Sequence, residues 1–226
     1  MTLACVRVVD CHNKTAPYVA SGIPLIRTTN VRGGRIDLAD TKFVDEDTYS
    51  FWSRRCPPEP GDVIFTREAP MGEAGMVPPD TRLCMGQRMM LLRADPSTIR
   101  PRFLLHAVQA PYVRNYADRL SVGTGVRHLR VGDVECLPVP IAPGPEQQAI
   151  EQAVDLALAN LSRLSTAAKG ASASLTGLDR ALLTHAFRGE LVPQDPNDEP
   201  ADAMLARLRA PLDDTQIGRA SCRERV

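Results

Sequence analysis

The sequence predicts an α+β chain: a mixed α/β domain over residues 1–142, then a coiled-coil-forming helical region over residues 143–210. Three observations predict it. Short β-rich apolar runs bounded by glycine and proline fill the first part. Further on, apolar or small residues recur at alternating steps of four and three: Ile150, Val154, Ala157, Leu161, Leu164, Ala168, Ala171, Leu175, Leu178 and Leu182. That spacing is a heptad repeat, and it gives a helix one sticky seam. Between the two parts stands Pro143-Gly144-Pro145, where proline blocks continuation from upstream and favours a helix start.

In chain order, Ile23 to Thr28 reads as a short strand and Arg32-Gly33-Gly34-Arg35 as a turn. Residues 43–54 carry Phe43, Tyr49 and Phe51 among acids and read as helix, ended by Pro57-Pro58-Glu59-Pro60-Gly61. Asp62 to Arg67 is a strand with a β-rich apolar middle, and Glu68 to Gly75 a loop or tight hairpin. Leu83 to Arg93 reads as one buried strand, interrupted by Gln87-Arg88. Residues 101–120 read as helix with Phe103, Leu104, Val108 and Tyr112 on one face, and Pro111 starts a new segment or kinks the old one. Ser121 to Gly125 is a glycine-rich loop, followed by Val126 to Leu129, and Leu137 to Ile141 closes the domain.

The helix from Glu146 to about Phe187 would be roughly 60 Å long at ~1.5 Å per residue. Its seam is apolar at both ends and small in the middle, around Ala168, Gly170, Ala171 and Ser174. A break near residue 170 is the alternative to one rod. Residues 191–200 are proline-rich and acidic and read as extended, and residues 201–210 as a short amphipathic helix. Residues 211–226 read as a disordered or non-native tail; from Gln216 onward they look like vector or adaptor sequence.

Formal net charge is zero. Residues 1–140 hold 18 basic and 15 acidic residues, against 9 and 12 in the remainder. The mildly basic first part is compatible with nucleic acid without demanding it. Lys14, Lys42 and Lys169 are the only lysines, so 24 of the 27 basic residues are arginine. Arginine grips phosphates and guanine edges with two parallel hydrogen bonds, although a GC-rich coding sequence produces the same bias. The sequence shows neither a membrane-length apolar run nor a secretory signal, which predicts a cytoplasmic protein with its six cysteines reduced. Cys5, Cys11 and His12 lack a fourth ligand at zinc-site spacing, so no metal is expected. GxSxG, HExxH, GxxxxGK[ST] and GxGxxG are all missing. His106 and His185 read as packed residues of helices, and no enzyme activity is expected.

Four stretches together resemble the specificity subunits of type I restriction–modification systems. They are Gly22 to Asn30, Gly61 to Gly75, Leu137 to Ile150 with its prolines followed by Glu146-Gln147, and Ala186 to Ala201 after the long helix. The resemblance implies a target recognition domain that reads one half of a split double-stranded DNA site. It implies a helical spacer that docks modification (methyltransferase) subunits, and restriction (motor and nuclease) subunits joined through the complex. S-adenosylmethionine, ATP and Mg are then expected on those partners, with no cofactor on this chain. The family's usual chain has two recognition domains and two helical regions, and this one has a single set. That is the pattern of a half-size subunit pairing with a copy of itself, or of a fragment.

Base reading needs hydrogen-bonding side chains on loops that enter a groove. Thr28, Thr29, Asn30, Arg32 and Arg35 form one such loop. Arg67 and Glu68 follow an apolar strand, Gln87 and Arg88 interrupt another, and Thr124, Arg127 and His128 sit beside glycines. These are the candidate DNA contacts; solvated turns, or core hydrogen bonding of Gln87 and Arg88, are the bland alternatives. Ile150, Val154, Leu161, Leu164, Leu175, Leu178 and Leu182 are the candidate helix-pairing seam. The competing functional reading is a structural or interaction protein with a helical arm and no DNA contact.

Overall fold

Two strands at the centre of the first part are apolar on both faces. They are β6 (Val63–Thr66) and β9 (Met89–Ala94), and all but Arg93 of their residues are buried. Near-continuous apolar runs of this kind belong to strands covered on both sides. The structure, a computed structural model, describes residues 1–193 and 195–209. It divides into two compact units, Met1–Leu161 and Ser162–Val226.

In the first unit, β6 and β9 lie inside an antiparallel sheet of order β1-β9-β6-β7, flanked by β1 (Cys5–Asp10) and β7 (Ala74–Met76). Alternation along β9 splits the core. Met90, Leu92 and Ala94 join Val63 and Phe65 on one face, while Met89 and Leu91 join Ile64 on the other. The first face packs against α2 (Pro101–Gln109), α3 (Pro111–Leu120) and α4 (Val131–Glu135). On the second face lie Ile26, Val31, Ile36 and Leu83. They come from a three-stranded sheet of β5 (Lys42–Val44), β2 (Ile23–Ile26) and β8 (Cys84–Met85), from a hairpin of β3 (Val31–Arg32) and β4 (Arg35–Ile36), and from the chain just before β8. Gly75 lets the hairpin approach β7: a Cβ there would stand 2.6 Å from the Arg35 carbonyl oxygen.

Several expectations are corrected or narrowed to one of their alternatives. Leu83 to Arg93 is two strands in different sheets, because the chain turns at Gln87-Arg88 and Arg88 adopts φ 67°. Phe43 is in β5, so the helix following it, α1 (Glu46–Trp52), is short; Asp45 caps it by accepting from Thr48 N–H at 2.8 Å. The first matched strand stops at Ile26, and Thr28–Asn30 is a 3₁₀ turn. Of the two alternatives for Glu68 to Gly75, the hairpin is present: β7 begins at Ala74 and pairs antiparallel with β6. Pro111 starts a new helix, since a residue before proline avoids the helical region and Ala110 sits at φ −61°, ψ 144°. Tyr112 faces outward, 66% exposed. Strand β1 and helix α4 had no sequence expectation.

The helix α5 (Gly144–Phe187) runs uninterrupted through Gly170 and Gly177. Its opening turns belong to the first unit: Gln147 and Glu151 are buried, and Ile150, partly buried, packs on the core that α2, α3 and α4 cover. Ile150 is therefore corrected from a helix-pairing position to a packing residue of its own domain.

In the second unit, Ser174 and Thr176 hydroxyls donate to the carbonyls of Gly170 and Ser172 one turn back, at 3.1 Å each. Leu164, Leu175, Leu178 and Leu182 are all more than half exposed, as is Leu161 just before them. The helix ends in a Schellman motif. Gly189 takes φ 73° and donates to Ala186 O, and Glu190 N–H donates to His185 O. That geometry accounts for the Arg188-Gly189-Glu190 run. His185 is exposed and contacts Glu190. A short helix, α6 (Ala201–Arg209), carries Met204, Leu205 and Leu208 as expected. The expected tail, residues 211–226, lies outside the described residues.

Candidate nucleic-acid interface

Four loops of the first unit are tied together by backbone hydrogen bonds. Gly86 N–H, entering the corner between β8 and β9, donates to Ile26 O at 2.9 Å. Arg67 N–H, after β6, donates to Arg88 O at 2.8 Å, and Leu129 N–H donates to Arg67 O at 3.0 Å. The 122–129 loop is closed by reciprocal bonds between Val122 and His128, each 3.0 Å. Its turn needs Gly123, at φ 109°, where a Cβ would stand 2.6 Å from Val126 O. Thr28 Oγ1 donates to Ala69 O at 2.9 Å.

These ties bring Thr28, Arg67, Glu68, Arg88 and His128 into one neighbourhood. Thr28, Thr29, Gln87 and Arg88 line one open cleft of about 280 Å³. Glu68 faces Arg88 at 3.6 Å, too long for a hydrogen-bonded pair. Arg127 folds back on Asp118, contacting its carbonyl and carboxylate. Arg32 donates to Thr28 O, and the neighbouring Gly33 N–H donates to Glu73 at 3.0 Å. Burial pushes the Glu73 carboxyl up, but the Gly33 N–H and the Arg114 guanidinium outweigh it and hold the group below the usual carboxylate range. Arg35 and Thr124 are exposed and make no side-chain hydrogen bond or ion pair among the described residues.

Two candidates face inward. Asn30 is 5% exposed; its Oδ1 accepts from Arg27 N–H at 2.8 Å and its Nδ2 donates to Asp40 O at 2.9 Å. It is corrected to a turn-stabilising residue. Arg67 donates to Leu129 O at 2.9 Å, and its Nε is buried. It braces the 122–129 loop, which a base-reading side chain is not free to do.

Sequence reasoning missed Lys14, Thr15, Tyr18 and Arg27, which line the same cleft. The scarcity of lysine was the available signal for Lys14. Among the described residues no group of three or more His, Cys, Asp or Glu is placed to hold a metal ion. None of the described helices is long and apolar enough to cross a membrane.

No protein-family model matches the chain. Among characterised proteins, it is 23% identical over 200 residues to the EcoBI type I restriction enzyme specificity subunit of Escherichia coli, covering 85% of this chain and 42% of that one. Identity to the EcoKI specificity subunit of Escherichia coli strain K12 is 24% over 190 residues, covering 82% and 40%. The chain is similar to type I restriction enzyme specificity subunits. It spans about two fifths of the length of those specificity subunits (42% and 40%). Two solved structures share its fold. The HsdS subunit of Thermoanaerobacter tengcongensis aligns with a TM-score of 0.57 at 18% identity, over 88% of this chain and 50% of that one. A chain from a type I R-M system, solved in work on complex assembly and conformational transition, aligns with a TM-score of 0.60 at 20% identity, over 82% and 46%.

Proposed function

We propose that this chain is the sequence-recognition part of a type I restriction–modification system. Residues 1–142 read double-stranded DNA, and residues 143–210 act as helical spacer and docking region. The observation that carries the reading is the convergence of Thr28, Thr29, Gln87 and Arg88 from two loops on one cleft whose lining includes no acidic residue. Uncharged donors beside arginines suit base edges and phosphates together. Kinship with specificity subunits supports the same reading.

The chain performs no chemistry of its own in this proposal and works in the cytoplasm. Modification subunits dock on the helical region and bind S-adenosylmethionine; restriction subunits join through the complex and use ATP and Mg. A second copy of the chain is the partner proposed for the exposed leucine seam.

One observation favours the rival reading of a purely structural arm. Arg27, Arg88, Arg114 and Arg127 each have a carboxylate within 4 Å, which lowers the net positive field. Substituting Arg88→Glu together with Arg127→Glu separates the two. Duplex binding should then collapse, while thermal stability and retention of a modification subunit stay unchanged. Duplex binding that survives both substitutions, or that is missing in the wild-type chain at low salt, overturns the DNA-reading proposal.

A further inference from the structure

We infer that the cleft seats a backbone phosphate of DNA on Lys14 and Arg27, and that this contact sets the register in which Gln87 and Arg88 meet base edges. The inference rests on the DNA-reading proposal and assigns separate tasks within it.

Lys14, Arg27 and Arg88 line the cleft, and no acidic residue does. Its volume of about 280 Å³ falls just below the range of small-molecule pockets, which start near ~300 Å³. It is open to solvent and so suits a group presented by a larger partner. The arginines here differ from those elsewhere in the chain. Arg82 holds Glu46 through two bonds of 2.6 and 2.8 Å, and Arg93 holds Asp62 through two of 2.8 Å. Those forks are filled. In the cleft, Arg27 Nη2 donates to the Asp40 carbonyl at 3.3 Å and stands 3.7 Å from its carboxylate, and its Nε is buried; Arg88 stands 3.6 Å from Glu68. Ion pairs of that length contribute little, so Arg88 keeps its fork and Arg27 its Nη1 for an outside anion. Lys14 is exposed and has no hydrogen bond or ion pair among the described residues.

The division of labour follows from the side chains. Lysine is a compact point charge without a fork, which suits a phosphate and carries no base preference. The Gln87 amide offers a donor and an acceptor side by side, the arrangement that reads adenine. Arg88 is fixed beside it by the left-handed backbone at the β8–β9 corner. A phosphate held at Lys14 and Arg27 therefore locates the duplex against the reading pair.

The three lysines make a clean test. The full chain is acetylated with and without a random-sequence duplex pool at saturating concentration, and the lysines are quantified by mass spectrometry. Lys14 labelling should fall several-fold more than that of Lys42 or Lys169. In parallel, Lys14→Ala should weaken binding to all duplexes by a similar factor and reduce the salt slope by about 1, leaving sequence preference intact. Gln87→Ala should change the preference and leave the slope. Unchanged Lys14 labelling in a chain that does bind duplex overturns the phosphate seat alone. So does a Lys14→Ala variant that keeps the wild-type slope. A wild-type chain that binds no duplex overturns the DNA-reading proposal, and the seat with it.

Discussion

Glu151 caps a helix that it does not belong to: its Oε1 accepts the Phe103 N–H at 2.9 Å, and its Oε2 accepts from Arg100 Nε at 2.8 Å. Phe103 is the third residue of α2, whose own N-cap, Arg100, supplies no capping side chain. Orphan N–H groups at a helix start need an acceptor, and a negative charge there is favoured by the helix dipole. One turn earlier on α5, Gln147 accepts from Arg100 N–H at 2.8 Å and donates to Thr98 O and Ala142 O at 3.0 and 2.7 Å. One turn later, Asp155 takes Arg102 and His106 at 2.8 and 3.0 Å. Residues four apart share a helix face. A polar stripe therefore anchors the start of α5 to the rest of the first unit, with Ile150 as its apolar companion.

Glu151→Ala removes the cap and leaves the Phe103 N–H buried without an acceptor. The expected loss is about 2 kcal/mol, from the range for lost caps and unsatisfied buried groups. Glu151→Gln keeps an acceptor and loses the charge, with an expected loss of about 1 kcal/mol. Urea unfolding of the three proteins checks both the values and their order. Equal stability of wild type and Glu151→Ala would contradict the capping role.

Gln147→Glu is nearly isosteric and should be the more damaging change at that position. The side chain is 2% exposed and uses its amide to donate to two carbonyls. A carboxylate would face both oxygens with no proton to give, in a site where burying an unpaired charge is costly. Thermal unfolding should rank wild type above Gln147→Ala and Gln147→Ala above Gln147→Glu at neutral pH. The glutamate variant should recover part of its loss on acidification, as its carboxyl gains a proton.

Hydrogen bonds from Arg102 hold the Asp155 carboxyl below the usual range, with the charge of Arg102 and the His106 ring adding to them. A depressed carboxyl contributes stability that is fully present above the ordinary aspartate value of about 4 and is lost as pH falls through its lower folded value. Asp155 and Arg102 are both more than a third exposed, so the contribution is about 1 kcal/mol at most. The stability difference between wild type and Asp155→Asn should thus be constant near neutrality and shrink below about pH 4. A difference independent of pH across that range would contradict the pairing.

The leucines at 164 and 178, 67% and 62% exposed, should be covered by a partner helix. With no modification subunit present, molar mass by light scattering should correspond to a dimer. Leu164→Lys with Leu178→Lys should return the monomer mass without moving the thermal transition of the first unit. A monomeric wild type at high concentration would remove the self-pairing proposal.

Much of the fold was legible where one local signal dominates. The heptad spacing marked α5, the Pro111 ring marked the α2–α3 division, and the apolar run at Val63 to Thr66 marked β6. What stayed illegible depends on partners distant in sequence. Leu83 to Arg93 reads as one strand because its two halves are equally apolar, and only the positive φ at Arg88 sends them into different sheets. Asn30 looks like a solvent-facing donor until Asp40, ten residues on, takes its amide. Ile150 fits the seam by spacing, yet the polar anchors on either side turn it onto its own core. Around the cleft, sequence picked Thr28, Thr29, Gln87 and Arg88 but passed over Lys14 and Arg27, which join them from the chain before β2 and just after it.

The most direct test of the central proposal is enrichment from a pool of random duplexes by the intact chain, alone and with a modification subunit, followed by sequencing. The proposal predicts one enriched half-site whose preference shifts in the Gln87→Ala variant and whose retention falls steeply with salt. Recovery of an unenriched pool under both conditions would contradict it.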